Sequence, residues 1–196
     1  MARRKRLELP ERREQLLNLA VAAFSSKSYD EVSIDDLAQS AGVSKGLLYH
    51  YFPSKRELYV ATVRAAADQL IERVLPDPSL SLRDQITRGL DGYLSFVEQN
   101  AAAYTSLIQS GIGHDDEVLN IMDSTRMRFV GIMLERGGQT MLNPAQQTLL
   151  RGWVGMVEAA SLDWIKRRSM TREELSKFLL KSLFYTLQLG IPKRTE

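Results

Sequence analysis

Apolar residues recur at intervals of three and four positions along almost the whole chain, and this periodicity constrains the fold more than any other feature. No segment alternates apolar and polar residues for long, as a half-exposed strand does. Local breaks separate the periodic segments, at residues 25–28, 42, 53, 76–78, 111–113, 137–144 and 169. The pattern predicts an all-α protein of about nine helices.

Composition excludes several classes of protein. Apolar residues make up 44% of the 196 residues and charged residues 26%, which excludes a disordered chain. The absence of cysteine excludes disulfides, thiol catalysis and cysteine-ligated metal centres. The longest uncharged stretch, residues 99–114, is interrupted by polar residues and is shorter than the roughly 20 apolar residues of a membrane span. No apolar run follows the basic N-terminus, so we expect a cytoplasmic protein without a secretory signal.

Positive charge is concentrated at the start of the chain. Residues 1–56 carry a net charge of +3, whereas residues 57–196 carry −1. Four of these cations are adjacent, namely Arg3, Arg4, Lys5 and Arg6. Such a run is either a nucleic-acid-binding arm or a solvated, disordered terminus, and on the charges alone the second interpretation is favoured.

The segment 33–53 carries the most specific pattern in the chain. Helical residues 34–40 lead through a short turn into a second short helix that begins at Ser44. Ala38 is small enough for the second helix to cross close above it, and Gly42 supplies the positive φ that the turn requires. Four aliphatic residues fill the small core between the helices: Ile34, Leu37, Val43 and Leu48. The arrangement predicts a helix-turn-helix.

The outward positions of the second helix favour contact with DNA. They combine one cation, polar groups and a residue without a side chain: Ser44, Lys45, Gly46, Tyr49 and His50. A glycine in a helix costs about 1 kcal/mol relative to alanine, which suits a backbone that must approach a base edge closely. Residues 42–54 contain no carboxylate, as a surface that faces phosphates requires. The alternative is an ordinary helix pair with alanine and glycine at the same spacing.

The same residues resemble the TetR family of bacterial transcriptional regulators. The resemblance is carried by Ser28-Tyr29, by Ser33, and by Leu37-Ala38-x-x-Ala41-Gly42-Val43-Ser44-Lys45-Gly46-x-x-Tyr49-x-Tyr51-Phe52-x-Ser54-Lys55-x-x-Leu58. It covers about 50 residues, and the rest of the chain matches only in the layout of its helices. The chain departs from the family at Ser28, where members usually have glycine, so we expect a little backbone strain there.

The resemblance implies a helix-turn-helix DNA-binding domain over residues 1–55, with a disordered basic arm at 1–8. Ser33 is expected to bind a phosphate from a helix N-terminus, and Lys45 a phosphate or a guanine edge. Gly46 is expected to let the helix lie deep in the major groove. Tyr49 is implied to contact a thymine methyl or a phosphate. The full implied set is Ser33, Ser44, Lys45, Gly46, Tyr49, His50 and Lys55, with Arg3, Arg4, Lys5 and Arg6 as an arm in the adjacent minor groove.

Residues 56–196 are implied to form a larger helical domain for effector binding and dimerisation. We expect a small apolar or aromatic effector in a pocket lined by Tyr93, Phe96, Tyr104, Ile108, Met122, Arg126, Phe129, Trp153 and Met156. Each of these residues is individually more typical of a core. A buried Arg126 needs a partner, which is Asp91, Glu158 or an acidic effector, and a structural salt bridge is favoured.

The last two helices, near residues 143–168 and 171–189, are implied to pair with those of a second subunit. We expect the two-fold interface at Leu150, Val157, Trp164, Leu175, Leu179, Ser182 and Thr186. The alternative is that these stripes complete the core of a single chain. A homodimer is favoured because two recognition helices about 34–36 Å apart can read a palindrome.

These implications describe a ligand-responsive repressor that binds a palindromic operator as a homodimer. We expect no catalytic residue, no cofactor, no metal and no membrane partner. Residues 114–117 (His-Asp-Asp-Glu) suggest a metal cluster, but acidic residues at a helix start explain them better. One alternative is a DNA-binding protein controlled by a protein partner or with an architectural role. Another is a helical carrier or enzyme whose helix-turn-helix is only structural.

Overall fold

A computed structural model describes residues 9–75, 77–109, 112, 115–136 and 143–189. Over these ranges the chain forms helices and no strand, which confirms the predicted fold class. The nine described helices are α1 (Leu9–Ser26), α2 (Ile34–Ala41), α3 (Lys45–Tyr51), α4 (Lys55–Val74), α5 (Leu82–Gln99), α6 (Ala101–Gln109), α7 (Asp116–Arg136), α8 (Pro144–Arg167) and α9 (Arg172–Leu189). In the described part, no helix combines the length and apolarity needed to span a bilayer. The predicted arm, Arg3, Arg4, Lys5 and Arg6, lies outside the described residues.

The chain divides into two compact units. The first comprises residues 1–66 and 100–119, and the second comprises residues 67–99 and 120–196. These units are defined by which residues pack together. The boundary expected after residue 55 instead separates a DNA-binding domain from an effector-binding and dimerisation domain. The functional division therefore stays a prediction.

The first unit is built around α1, which packs against α2 and α6. Leu16, Ala20 and Phe24 are buried at a spacing of four residues, so they form one apolar stripe along α1. The ring of Phe24 lies 6.2 Å from that of Tyr29 and 5.1 Å from that of Tyr59. Burial raises the pKa of Tyr59 to about 12, so its hydroxyl stays neutral at physiological pH.

The core of the second unit lies among α5, α8 and α9, with α9 packed against both of the others. Two buried tryptophans of α8 fix this packing because each indole N–H finds an acceptor. Trp153 donates to the Leu179 carbonyl oxygen at 3.2 Å and to the Ser182 hydroxyl at 3.0 Å. Trp164 donates to the Met170 carbonyl oxygen at 2.8 Å. The indoles therefore contribute apolar area without leaving a buried donor unpaired.

This core includes most of the residues expected at the dimer interface. The residues concerned are between 0% and 6% exposed in the single chain: Leu150, Val157, Trp164, Leu175 and Leu179. Such side chains have no surface left for a second subunit, because α8 and α9 bury them against each other and against α5. Their burial supports the alternative of a monomer core for these five positions. Ser182 and Thr186 are half-buried and stay predictions.

Candidate nucleic-acid interface

The turn between α2 and α3 has the predicted construction. Gly42 ends α2 with φ 64° and ψ 36°, the left-handed conformation that glycine adopts without strain. Its N–H donates to the Gln39 carbonyl oxygen at 2.9 Å, and the Val43 N–H donates to the Ala38 carbonyl oxygen at 3.0 Å. At the other end of α2, the Ser33 hydroxyl accepts from the Asp36 N–H at 3.3 Å. Ser33 is therefore the N-cap, and its hydroxyl proton remains able to donate.

Helix α3 is anchored by one residue and presents most of the others to solvent. Ser44 caps it by accepting from the Leu47 N–H at 3.2 Å, and Leu48 is only 2% exposed. The remaining side chains are exposed except for half-buried Tyr51, and the exposed set is Lys45, Gly46, Leu47, Tyr49 and His50. Sequence reasoning missed Leu47, although two consecutive leucines on one short helix cannot both face inward.

The exposed cation of α3 is held by a neighbouring carboxylate. Lys45 Nζ lies 2.9 Å from Asp35 Oδ2 on α2, and both side chains are exposed. The hydrogen bond to Asp35, together with its charge, raises the pKa of the Lys45 ammonium. Asp35 lies outside the carboxylate-free segment 42–54, and the crossing of the two helices brings it alongside Lys45.

Among the residues that the structure describes, Gly46 has no neighbour that explains the lack of a side chain. A Cβ added there would meet only the Ser44 hydroxyl, at 4.0 Å. The glycine therefore satisfies no packing requirement in the described part of the chain, and the open space above α3 suits a close external surface. His50 is also exposed, with its ring edge-on to that of Tyr51 at 5.4 Å.

Lys55, the first residue of α4, is fixed beside the helix-turn-helix. Its ammonium donates to the Asp30 carbonyl oxygen at 3.3 Å and lies 4.6 Å from the centre of the Tyr29 ring. Ser54 precedes it and caps α4 by accepting from the Glu57 N–H at 3.0 Å. The ammonium has three donors, so it retains capacity for a phosphate.

The expected strain at Ser28 is absent, so that expectation was wrong. Arg168 is the one non-glycine residue with positive φ in the described ranges, so Ser28 does not adopt the left-handed conformation. Instead, its N–H and hydroxyl donate to one carboxylate oxygen of Glu31 at 2.8 and 2.6 Å. These hydrogen bonds lower the pKa of Glu31. A serine hydroxyl thus fixes a turn for which family members usually use glycine.

The first turn of α7 is joined to α4 by charged groups of the first unit. Arg56 donates to both carboxylate oxygens of Asp115, at 2.5 and 2.8 Å, and Arg64 lies 3.3 Å from Glu117. Asp115 also accepts from the backbone N–H groups of the first turn and so caps α7. The hydrogen bond from Arg56 lowers the pKa of Asp115. These contacts support the helix-start interpretation of the acidic run, whose His114 lies outside the described residues.

The expected effector-pocket residues fall in both units. Tyr104 and Ile108 belong to the first unit, whereas Tyr93, Phe96, Met122, Arg126, Phe129, Trp153 and Met156 belong to the second. Within the second unit, the rings of Tyr93 and Phe129 are perpendicular at 6.4 Å. Tyr93 and Met156 pack on the core that contains buried Trp153. The pocket itself stays a prediction.

Arg126 has the structural partner that sequence reasoning favoured. It donates to both carboxylate oxygens of Glu158, at 2.8 and 2.9 Å. The two side chains are 31% and 23% exposed, so Arg126 is half-buried. The other candidate partner, Asp91, pairs instead with Arg172 at 2.9 Å. An acidic effector is not needed to neutralise Arg126.

The exposed aromatic residues of α9 were missed by sequence reasoning. Phe178 and Tyr185 are 55% and 69% exposed and lie seven residues apart on α9, hence on one face. Helix α8 also has small, exposed residues at a spacing of three and four, namely Gly152, Gly155 and Ala159. No atom lies within 4 Å of a Cβ added at either glycine. The i, i+7 spacing of two aromatic residues was the available signal.

Comparison with known proteins identifies two family regions in the chain. Residues 16–62 match the family described as bacterial regulatory proteins, tetR family. Residues 82–186 match the family described as tetracyclin repressor-like, C-terminal domain. The first match contains α2, α3 and the turn between them, and the second alone covers more than half of the chain.

Individual relatives agree with this result. A crystal structure of a tetR-family transcriptional regulator from Streptomyces coelicolor has a TM-score of 0.86 and 31% identity, covering 94% of this chain and 83% of that one. The HTH-type transcriptional repressor KstR2 of Rhodococcus jostii is 25% identical over 171 residues, which are 86% of this chain and 74% of that protein. The HTH-type transcriptional activator FasR of Mycolicibacterium smegmatis is 32% identical over 107 residues, 54% of this chain but only 49% of its own length. The chain therefore belongs to the TetR family of bacterial transcriptional regulators.

Proposed function

We propose that this chain is a ligand-responsive repressor that binds a palindromic operator as a homodimer in the cytoplasm. The main observation in support of this proposal is the surface of α3. Leu48 anchors the helix, and the exposed residues are Lys45, Gly46, Tyr49 and His50. A short helix with one buried residue and a side-chain-free position in its first turn fits the width of a major groove. Ser33 and Lys55 then bind phosphates on either side and fix the register of α3.

Dimerisation is assigned to the outer face of α8 and α9. Phe178 and Tyr185 supply the aromatic area, and Gly152, Gly155 and Ala159 let the helices of two subunits approach closely. This set replaces the five core residues first expected there. Two subunits are required because a single α3 contacts too few base pairs for specificity, whereas a two-fold pair reads both halves of a palindrome.

The effector site is assigned to the second unit. Half-buried aromatic and methionine side chains on α5, α7 and α8 retain partial access and offer an apolar lining: Tyr93, Phe96, Met122, Phe129 and Met156. Because Glu158 neutralises Arg126, the effector proposed here is uncharged or carries its charge away from this lining. The effector controls DNA binding only to the extent that its affinity differs between the two states of the regulator.

Repression is proposed because KstR2, named a repressor, matches 86% of this chain, whereas FasR, named an activator, matches 54%. A match of that length must include the helix-turn-helix and most of α5 to α8.

Selection from a library of random duplexes by the full-length protein tests the proposal. The expected result is an inverted repeat whose half-site centres lie about 10–10.5 base pairs apart or a multiple of that spacing. Enrichment of a single half-site contradicts the dimer, and failure to enrich any sequence contradicts operator binding.

A thermal shift of the purified protein with apolar and aromatic compounds tests the effector. Its absence across such compounds favours control by a protein partner.

A further inference from the structure

We propose that Asp35 is a specificity-determining residue of the DNA-binding surface and that it acts by positioning Lys45. The inference rests on the proposed function, since it concerns how the same surface discriminates bases. It goes beyond the exposed positions of α3, because Asp35 lies on α2 and carries the charge opposite to that expected at a phosphate-facing surface.

The geometry couples the two residues across the helix-turn-helix. Asp35 is in the first turn of α2, and Lys45 is the first residue of α3. Their charged atoms are 2.9 Å apart, with side chains 69% and 50% exposed. An ion pair this exposed contributes little to stability. The first turn of α2 favours a carboxylate, but Asp36 lies in the same turn, so the feature particular to Asp35 is its contact with Lys45.

The pair limits what Lys45 can do on DNA. A lysine ammonium on a free four-carbon stem binds any phosphate within reach as a point charge, which adds affinity without sequence information. The ion pair with Asp35 biases the ammonium toward one position, and the carboxylate opposes a close phosphate. Two of its three donors remain for the N7 and O6 acceptors of a guanine edge. Asp35 thus converts a general phosphate contact into a base contact.

The neighbouring glycine supports this arrangement. Gly46 follows Lys45 directly and leaves open space on the outer surface of α3. A side chain there would hold the start of α3 away from a base edge, whereas its absence lets a positioned ammonium reach one. The carboxylate of α2 and the glycine of α3 therefore favour the same contact.

The test compares Asp35→Asn with Asp36→Asn in the full-length protein. Asp36 is a matched control because it carries the same charge in the same turn of α2, while Lys45 pairs with Asp35. Affinities are measured by fluorescence anisotropy for the duplex selected by the wild type and for a scrambled duplex of equal composition. We expect Asp35→Asn to raise affinity for the scrambled duplex and to lower the ratio of specific to non-specific affinity about fivefold, the upper range for an exposed pair. Asp36→Asn should raise both affinities alike and leave the ratio unchanged.

A double-mutant cycle with Lys45→Ala distinguishes positioning from loss of charge. If Asp35 acts through Lys45, Asp35→Asn does not change the ratio of specific to non-specific affinity in the Lys45→Ala background. The two single variants should then lose their base preference at the same positions of the duplex. Equal ratios for Asp35→Asn and Asp36→Asn, or an undiminished effect of Asp35→Asn without Lys45, overturn the inference. Failure of the wild type to prefer its selected duplex over the scrambled one would overturn the proposed function instead.

Discussion

Helices α3 and α9 both present side chains to solvent, but the two surfaces have opposite chemistry. Helix α3 buries Leu48 and exposes a cation, a histidine, a tyrosine and a glycine. Helix α9 buries four leucines against α5 and α8 and exposes Phe178 and Tyr185. One surface suits a highly charged partner, and the other suits a partner that shields apolar area from water.

The two proposed associations, DNA binding through α3 and dimerisation through α9, should respond differently to salt. Contacts with phosphates release counterions and weaken steeply as salt rises. Burial of aromatic area is driven by removal from water and is not weakened by salt in that way. Variants of α3 should therefore change DNA binding while the subunits stay associated, whereas variants of the α9 surface should change both.

The largest expected effect comes from the double variant Phe178→Asp/Tyr185→Asp. Aromatic hot spots contribute about 2 kcal/mol or more each, and a dimer of the variant lacks four of them, so the dimer dissociation constant should rise by at least about a thousandfold. Operator affinity should fall with it, as measured by sedimentation velocity and anisotropy on one preparation. Leu75→Asp is the control, because Leu75 is also 57% exposed but lies after α4. A double variant that remains dimeric would remove α9 from the interface.

Adjacent residues of α9 sharpen the contrast between core and outer surface. Leu179 is 0% exposed and Phe178 is 55% exposed. Leu179→Ala should lower the free energy of unfolding by about 2–5 kcal/mol at every protein concentration, because it leaves a cavity in the core. Phe178→Ala should lower apparent stability mainly through dissociation, so its effect should depend on concentration. Denaturant unfolding over a range of protein concentrations measures the stability of both variants. The same concentration dependence for Leu179→Ala and Phe178→Ala would contradict the assignment of Leu179 to the core and Phe178 to the interface.

Gly46→Ala separates folding from DNA binding on α3. An added methyl group meets no close neighbour in the chain, so helix stability should rise by about 1 kcal/mol. Affinity for the selected duplex should nevertheless fall by about tenfold or more, comparable to the loss of one good base contact. Thermal unfolding and anisotropy measure the two effects. Unchanged affinity would show that the backbone of α3 does not approach the bases.

The smallest effect concerns the charged contact that joins α4 to α7. Because the folded state lowers the pKa of Asp115, its ionised form stabilises the fold above the unfolded pKa of about 3.9, and that contribution is lost as pH falls through the folded value. Asp115→Asn retains a capping acceptor but removes the charge. The difference in unfolding free energy between wild type and variant should be largest near neutral pH and should vanish in acid. A difference that does not change with pH would assign the effect to capping alone.

The helix-turn-helix was predictable residue by residue because each of its requirements selects one residue type. Positive φ requires Gly42, the close crossing requires a small residue such as Ala38, and a short helix with one anchor leaves its other faces outward. The ion pair of Lys45 with Asp35 was not predictable, because it joins residues on two helices whose crossing angle the sequence does not specify.

The faces of α8 and α9 were less predictable for a different reason. Both helices are apolar on more than one side, so spacing alone does not separate a stripe that packs inside the chain from one that packs outside it. Trp153 and Trp164 indicated a core only once their N–H acceptors were known. The partner of Arg126 could not be predicted for a similar reason, because Asp91 and Glu158 were both compatible with the sequence.

Methylation protection on the selected duplex tests most directly whether the exposed surface of α3 enters the major groove in a two-fold pair. Dimethyl sulfate modifies the N7 of guanine, which lies in that groove. Two symmetric clusters of protected guanines are expected about one helical turn apart, and the double variant Lys45→Ala/Gly46→Ala should abolish both. Full reactivity of every guanine N7 in the bound duplex, or a single protected cluster, would contradict this placement of α3.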